Sequence, residues 1–349
     1  MRRAPTEGAR RDGRGGLPRP PMGPYSLLRG SPTRRKTEQR MLSTPQRLWQ
    51  VLKPNPQREE SPTAEAPGIK LPDDCGLFVI GAARSGTTVF QNALNSSPEI
   101  FLLGEPALQD DPGTPDFAAR YNAMHRSWGN QENKSSFCPP LFEQDAPWQH
   151  YLARLARHYR YVGSKIVVNP HEAARTCQQL FEFHCRHFYR SHYVFTFRNP
   201  IDVLMSTRGL AELNGDEAAG HDTVLKSFLQ VMALYIRFLR NLPSVRAVFH
   251  EDLGEAVLRD TGAWLGVDLG EAASYYDNAR VRRYSLDQVP EHARALAEEV
   301  IAAYEELRGQ VAGGMRLVQL EQNSNHIDPA HFTPLGNLHR RIVGLLVAS

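Results

Sequence analysis

The sequence predicts an α/β fold in which helices flank a central parallel β-sheet. From Cys75 onward, apolar runs of strand length alternate with segments of helical period, which is typical of parallel sheets with crossover helices. The first apolar run, at residues 77–81, leads into a glycine-bracketed turn and a helix start. With 349 residues, the chain is long enough for one large domain or two smaller ones.

Residues 1–72 are predicted to form a disordered basic tail. Arg, Pro, Gly, Ser and Thr predominate there and apolar periodicity is nearly absent, so the segment cannot bury enough surface to fold. An Arg-rich, acid-poor transit peptide is the alternative, but Pro and Gly interrupt the amphipathic helix that it would need. Met22 and Met41 are alternative starts of the chain.

The folded domain is predicted over residues 73–310. Strands are predicted at 77–81, 99–103, 161–168, 191–198 and 245–249, and helices at 87–95, 148–159, 173–189, from 200, 223–241 and 290–308. Residues 106–146 are rich in Asp, Pro and Asn without a clear period, which predicts a long functional loop. Residues 311–349 are predicted to form an irregular C-terminal extension.

Composition excludes several classes of protein. The formal net charge of +3 is too small to indicate a nucleic-acid partner, and no apolar run approaches the about 20 residues of a membrane span. The four cysteines show no CxxC spacing, and in the absence of a signal peptide we expect free thiols and a cytoplasmic location. A zinc site is a minor alternative to a helix that simply carries two cysteines; it would use Cys177, His184, Cys185 and His187.

The turn after the first strand has the composition of an anion-binding loop. Residues 81–88 read Gly-Ala-Ala-Arg-Ser-Gly-Thr-Thr, a phosphate-binding loop in which Thr87 replaces the usual lysine. Backbone N–H groups and the positive end of the next helix converge there on one point. The missing lysine argues against ATP hydrolysis, because that lysine reaches the β and γ phosphates, whereas Arg84 keeps a cation in the loop. The alternative is a tight turn without a ligand.

Residues 198–206 form a second candidate anion site. Arg198 ends a strand, Pro200 suits the first turn of a helix, and Ser206 follows about two turns later. Because ligands of open α/β sheets bind at the carboxyl ends of the strands, this arginine and serine are placed to hold a second phosphate. The alternative is an ordinary helix start in which Asp202 complements the helix dipole.

Together the two motifs resemble those of sulfotransferases that use 3′-phosphoadenosine 5′-phosphosulfate (PAPS). Residues 84–88 are similar to the family's loop for the 5′-phosphosulfate, and residues 198–206 to its loop for the 3′-phosphate. His-Glu-Asp-Leu at 250–253, followed by Trp-Leu-Gly-Val at 264–267, resembles a third family stretch. The resemblance extends over residues 75–268. It implies a P-loop-like sheet and sulfuryl transfer from PAPS to an acceptor hydroxyl, with release of adenosine 3′,5′-bisphosphate. No metal is expected, because no Asp is placed to bind one and Arg and Lys can meet the charge of the donor.

The resemblance also implies roles for individual residues. The 5′-phosphosulfate is expected on Ala83, Arg84, Ser85, Gly86, Thr87 and Thr88, and the 3′-phosphate on Arg198 and Ser206.

The predicted catalytic base is Glu105, since tyrosyl-protein and many bacterial members place a glutamate after the second strand; His125 and His171 are the alternatives. Arg84 and Lys165 are expected to stabilise the charge on the transferred group. Lys165 resembles the family's G-x-K lysine, although the residues after it depart from the usual pattern.

The sequence says less about the acceptor and about the basic residues near the end of the domain. Arg280, Arg282 and Arg283, beside Tyr284, share only their charge with the family's late basic loop, so a solvated charged surface is favoured. Family analogy slightly favours a carbohydrate or lipid-linked glycan as acceptor. Aromatic residues of the long loop would stack on it or form the loop's own small core; they are Tyr121, Trp128, Phe137 and Trp148.

Two other functions stay open from the sequence. The first is a P-loop kinase or nucleotide triphosphatase, which a dependence on magnesium would support. The second is a non-catalytic anion-binding protein on the same scaffold, which would be favoured if replacement of Glu105 changed no activity.

Overall fold

A computed structural model describes residues 74–127, 140–142, 144–215, 217–270, 272, 283–321 and 324–348. The predicted tail at residues 1–72 lies outside this part of the chain, as do Trp128, Phe137, Cys138, Arg280 and Arg282. No helix in the described part combines the length and the apolar character needed to cross a membrane.

A five-stranded sheet forms the centre of the described fold. Its strands are β1 (Gly76–Ala82), β2 (Ile100–Gly104), β3 (Tyr161–Val168), β4 (His192–Phe197) and β5 (Ser244–Phe249). They lie in the order β2-β3-β1-β4-β5, and every pairing is parallel. The carboxyl ends of β1, β3 and β4 therefore meet at one edge, where open α/β sheets bind ligands.

Nine helices are described, and they cover both faces of the sheet. They are α1 (Thr87–Leu94), α2 (Phe117–Ser127), α3 (Trp148–Leu155), α4 (Ala173–His187), α5 (Pro200–Asn214), α6 (His221–Asn241), α7 (Glu255–Leu265), α8 (Glu291–Ala312) and α9 (Pro329–Val347). Alternate residues of β1 point to opposite faces. Phe78 and Ile80 join a buried cluster with α6 and α8, whereas Leu77 and Val79 pack with α1 and α7. This architecture confirms the predicted α/β class with a central parallel sheet flanked by helices.

The predicted long loop at 106–146 contains a helix, so that part of the prediction is wrong. In α2, Phe117, Ala118 and Tyr121 are buried against the core, and Arg120 pairs with Asp116 one turn earlier at 2.9 Å. The apolar positions span only about one turn between stretches rich in Asp and Pro, so their period is not visible in the sequence.

The predicted irregular extension at 311–349 is also wrong. Strands β6 (Leu317–Glu321) and β7 (Ser324–Ile327) form an antiparallel pair, and α9 follows. The side chain of Asp328 accepts a hydrogen bond from the Ala330 N–H at 2.8 Å and caps α9. Three side chains of α9 lie in the buried cluster that also contains α6 and α8: Leu335, Leu338 and Ile342. Tertiary packing thus supports a helix that carries Pro334 in its interior.

Replacing Leu338 with alanine is expected to lower the free energy of unfolding by about 2–5 kcal/mol, because it opens a cavity in this cluster. Leu338 is buried, whereas Val347 on the same helix is exposed. The Val347→Ala variant is the matched control and should change stability by about 0.5 kcal/mol or less. Thermal melts of both variants check this, and equal melting temperatures would show that α9 is not part of the core.

Candidate functional site

The loop between β1 and α1 has a backbone that requires glycine at one position. Arg84 and Gly86 both adopt left-handed conformations, with φ of 66° and 94°. A Cβ atom on Gly86 would also lie 2.4 Å from Cδ2 of His250. Two independent constraints, backbone conformation and close approach, therefore select glycine here.

The loop of residues 81–88 is anchored to both neighbouring strands. The Ala83 N–H donates to the Val168 carbonyl at 3.2 Å, at the end of β3. The hydroxyls of Ser85 and Thr196 share a hydrogen bond of 3.1 Å, which ties the loop to β4. Ser85 is fully buried, so its side chain supports the loop from the side of the sheet.

The two sequence motifs meet in the structure. Arg84 Nε donates to Ser206 Oγ at 3.0 Å, which joins the first loop to α5 across 122 residues. Burial, and then the positive charge of Arg198, lower the pKa of the Arg84 guanidinium. Two arginines thus concentrate positive charge at one place, which favours binding of an anion there.

Arg198 is held by an acidic partner on the next helical turn. Its Nε lies 3.4 Å from Asp202 Oδ2, and both side chains are largely buried. Asp202 Oδ1 accepts a hydrogen bond from the Tyr284 N–H at 2.7 Å. Asp202 therefore orients the arginine and also fixes the chain at Tyr284. Arg283, the one member of the predicted basic cluster that the structure describes, precedes this contact and is exposed.

Glu251 connects the second motif to α8, a contact that the sequence analysis missed. Its Oε1 accepts a hydrogen bond from the Asn199 N–H at 2.5 Å, and its Oε2 accepts one from the Tyr304 hydroxyl at 2.9 Å. The Asn199 side chain in turn caps α5 by accepting from the Ile201 N–H at 2.9 Å. The only sequence signal was the His-Glu-Asp-Leu motif, which does not reveal either partner.

Glu105 and Lys165 form an ion pair at the carboxyl edge of the sheet. Lys165 Nζ lies 2.5 Å from Glu105 Oε1 and donates to Thr88 Oγ1 at 3.1 Å. The lysine side chain is 1% exposed and that of Glu105 is 31% exposed. Backbone pairing helps to set the geometry, because the Glu105 N–H donates to the Lys165 carbonyl at 3.0 Å.

These groups surround one cavity of about 440 Å³, referred to here as the donor cavity. Its lining includes eight of the ten predicted site residues: Ala83, Arg84, Gly86, Thr87, Thr88, Glu105, Lys165 and Arg198. The remaining two do not line it: the Ser85 hydroxyl is bonded to Thr196, and the Ser206 hydroxyl accepts a hydrogen bond from Arg84. His250, which the sequence did not single out as a site residue, also lines the cavity. Burial and then the positive charge of Arg198 lower its pKa.

The alternative residues lie elsewhere. His171 is exposed in the short turn after β3, and His125 packs edge-on against the ring of Tyr121 at 4.3 Å. Tyr121 and Trp148 are buried in the core, which corresponds to the loop-core alternative for these two aromatics.

The four residues of the alternative zinc site all lie on α4, where Cys177 and His184 are buried, Cys185 is half-buried and His187 is exposed. Burial lowers the pKa of His184 to about 3, and its ring contacts the Tyr193 hydroxyl at 3.2 Å. Within the described ranges, no group of three or more metal-ligating side chains is found.

Comparison with known proteins gives three results. A model of the sulfotransferase family matches residues 76–253. No curated protein matches the chain. The similar solved structures include the sulfotransferase domain of the Synechococcus PCC 7002 olefin synthase, with 16% identity, a TM-score of 0.43, and coverage of 80% of this chain and 98% of that one.

Two further solved structures are similar at the same level. The sulfotransferase domain from the curacin biosynthetic pathway has 15% identity and a TM-score of 0.45, with 66% of this chain and 96% of that chain covered. A sulfotransferase from Alicyclobacillus acidocaldarius has 16% identity and a TM-score of 0.38, with 68% and 94% covered.

The family match extends from the start of β1 to the end of the His-Glu-Asp-Leu motif. It includes every residue that lines the donor cavity, from Ala83 to His250. Because the matched residues make up just over half of the 349-residue chain, the protein belongs to the sulfotransferase family.

Proposed function

We propose that the protein transfers a sulfuryl group from PAPS to an acceptor hydroxyl and releases adenosine 3′,5′-bisphosphate. One observation carries the proposal. The Lys165 ammonium lies between the Glu105 carboxylate, at 2.5 Å, and the Thr88 hydroxyl, at 3.1 Å, in a cavity that Arg84 and Arg198 also line. A base, a cation and an anion-binding loop are thus within reach of one transferred group.

The donor is assigned to the two loops. The 5′-phosphosulfate lies at the N-terminus of α1, on backbone N–H groups of the loop together with Thr87 and Thr88. The N–H groups of Ala83 and Ser85 are not among them, because they already donate to the carbonyls of Val168 and Ala82. The 3′-phosphate lies on Arg198 and Ser206, which distinguish PAPS from ATP. The proposal assigns the neutralisation of the donor's charge to Arg84, Lys165 and Arg198 rather than to a metal ion.

The reaction follows from these positions. The acceptor oxygen attacks the sulfur in line with the leaving phosphate oxygen, a new O–S bond forms, and the old S–O bond breaks. Glu105 takes the proton of the acceptor hydroxyl. Lys165 stabilises the negative charge that develops between the sulfuryl group and the leaving phosphate. Catalysis then depends on positioning and electrostatics, as in phosphoryl transfer.

Two finer points stay predictions. Family analogy slightly favours a carbohydrate or lipid-linked glycan as acceptor. The cytoplasmic location expected from the cysteines is likewise a prediction.

Titration calorimetry with adenosine 3′,5′-bisphosphate, ADP and ATP tests the donor. We expect a clear preference for the 3′-phosphorylated nucleotide. Arg198→Ala should weaken its binding about 10- to 100-fold, the value of a charge-assisted hydrogen bond, and change ADP binding little. Arg259→Ala is the matched control, because Arg259 is an exposed arginine on α7 outside the donor cavity.

The titration also separates the rival functions. Equal or tighter binding of ATP, strengthened by magnesium, would overturn the proposal in favour of a kinase or nucleotide triphosphatase. Failure to bind any of the three nucleotides would favour a non-catalytic anion-binding protein.

A further inference from the structure

A second cavity adjoins the donor cavity. It measures about 190 Å³ and shares Glu105, Lys165 and Val167 with the donor cavity. A molecule in the second cavity would therefore reach Glu105 while a nucleotide occupies the first. We refer to this second cavity as the acceptor cavity. Its other lining residues are Ala107, Leu108, Gln109, Met124, Ser164, Ile166 and His184.

The two cavities lie toward opposite faces of the sheet. Side chains alternate along β3, so Ser164 and Ile166 point away from the face of Lys165. Lys165 contacts Thr88 on α1, whereas His184, which lines the acceptor cavity, lies on α4. The Glu105–Lys165 ion pair thus lies between the donor cavity and the acceptor cavity.

The wall of the acceptor cavity is largely aliphatic. Ala107, Leu108, Met124, Ile166 and Val167 supply carbon surface. Among the described lining residues, only Glu105 and Lys165 are charged, because burial keeps the His184 ring neutral near pH 7.

Three uncharged polar side chains interrupt this apolar surface: Gln109, Ser164 and His184. The Gln109 amide already donates to Asp110 at 2.9 Å, and the His184 ring contacts the Tyr193 hydroxyl at 3.2 Å. The hydroxyl of Ser164 is fully buried and has no hydrogen-bond partner among the described residues. Each hydroxyl of a buried sugar would need a partner of its own, and one unengaged hydroxyl beside the ion pair cannot supply them.

We infer that the acceptor is an alcohol whose hydroxyl is carried on a compact aliphatic carbon skeleton, in contrast to the sugar hydroxyl that family analogy slightly favours. This inference rests on the proposed sulfuryl transfer. The aliphatic lining receives the skeleton, and Glu105 at the junction receives the hydroxyl proton as the oxygen bonds to the sulfur of PAPS. The S–O bond to the leaving phosphate breaks, and adenosine 3′,5′-bisphosphate departs.

Cavity size sets the length of the skeleton. A dry aliphatic cavity of about 150 Å³ holds one benzene molecule, so a volume of about 190 Å³ suits about six to eight carbon atoms.

Backbone strain supports a functional role for this wall. Glu105 and Ala107 both have positive φ, of 50° and 47°, although neither is glycine. Such conformations cost about 1–3 kcal/mol each and cluster at functional sites. The strained segment places both the proposed base and Leu108 at the acceptor cavity.

An acceptor panel with PAPS tests the inference. Hexan-1-ol and cyclohexanol are compared with glucose and N-acetylglucosamine, and sulfated products are quantified by mass spectrometry. We expect the two aliphatic alcohols to react with kcat/KM at least tenfold above that of the sugars. Titration with adenosine 3′,5′-bisphosphate is run in parallel, because it reports on the proposed function independently of the acceptor.

Two cavity variants sharpen the test by shifting chain length in opposite directions. Ile166→Phe reduces the cavity and should lower the kcat/KM for hexan-1-ol at least tenfold. Met124→Ala enlarges it and should shift the preference toward octan-1-ol and decan-1-ol. In both variants, the affinity for adenosine 3′,5′-bisphosphate should stay within about threefold of the unaltered protein. Leu213→Phe, at an exposed leucine on α5 outside both cavities, is the control and should change neither quantity.

The outcomes are distinguishable. A protein that does not bind adenosine 3′,5′-bisphosphate contradicts the proposed function itself. A protein that binds it but sulfates sugars in preference to the aliphatic alcohols, or sulfates none of the alcohols, overturns the present inference alone. An unchanged chain-length preference in both cavity variants would overturn it as well.

Discussion

Replacing Glu105 with glutamine is expected to slow sulfuryl transfer about 10²- to 10⁴-fold, the usual contribution of a positioned general base. The amide keeps the size of the side chain and a carbonyl oxygen that Lys165 can still approach. It cannot take a proton from the acceptor, so the affinity for adenosine 3′,5′-bisphosphate should stay within about threefold. The rate is measured as release of this nucleotide with the best acceptor of the unaltered protein.

Glu172→Gln provides the matched control, because Glu172 is an exposed glutamate in the turn after β3 and does not line the donor cavity. Its turnover should equal that of the unaltered protein. If Glu105→Gln retained full activity, the base would have to lie elsewhere. The same measurement on variants of His125 and His171 would then identify it.

Lys165→Met is expected to lower kcat about 10²- to 10³-fold, since it removes a preorganised cation from the site where negative charge develops. Methionine retains most of the aliphatic stem, so the buried volume changes little. Nucleotide affinity should fall less than tenfold, because Arg84 and Arg198 still line the donor cavity. Steady-state kinetics and titration calorimetry separate the two effects.

Lys226→Met is the control, as Lys226 is a half-buried lysine on α6 outside the donor cavity. The double variant Glu105→Gln with Lys165→Met adds a second criterion. If the ion pair acts as one unit, the two losses should be markedly non-additive. Full additivity, or a Lys165→Met enzyme with unchanged kcat, would contradict the role assigned to the lysine.

The sheet was predictable from the sequence because its strands are buried on both faces. Such strands appear as continuous apolar runs, and the predicted strand at 77–81 differs from β1 (Gly76–Ala82) by one residue at each end. Helix α2 and the C-terminal elements were not predictable in this way. Their apolar positions are few and lie among Asp, Pro, His and Asn, and burial against α6 and α8 stabilises α9.

The site residues were predictable where they belong to a recognisable sequence motif. Arg84, Thr88 and Arg198 belong to short patterns with a local physical cause, the strand-to-helix turn at the carboxyl edge of a sheet. The supporting contacts were not predictable, because only the fold brings their partners together. Glu251 and Tyr304 are 53 residues apart, and Asp202 and Tyr284 are 82 residues apart.

The contact between Tyr304 and Glu251 has a thermodynamic consequence for the C-terminal half of the protein. Glu251 holds the Asn199 N–H beside Arg198, and α8, which carries Tyr304, packs with α9 in one buried cluster. A nucleotide bound at Arg198 stabilises the folded state by mass action and thereby the arrangement that Glu251 supports. Nucleotide binding and the stability of the packing between α8 and α9 are therefore thermodynamically linked. Adenosine 3′,5′-bisphosphate should protect the amides of both helices from hydrogen exchange, although neither helix lines the donor cavity.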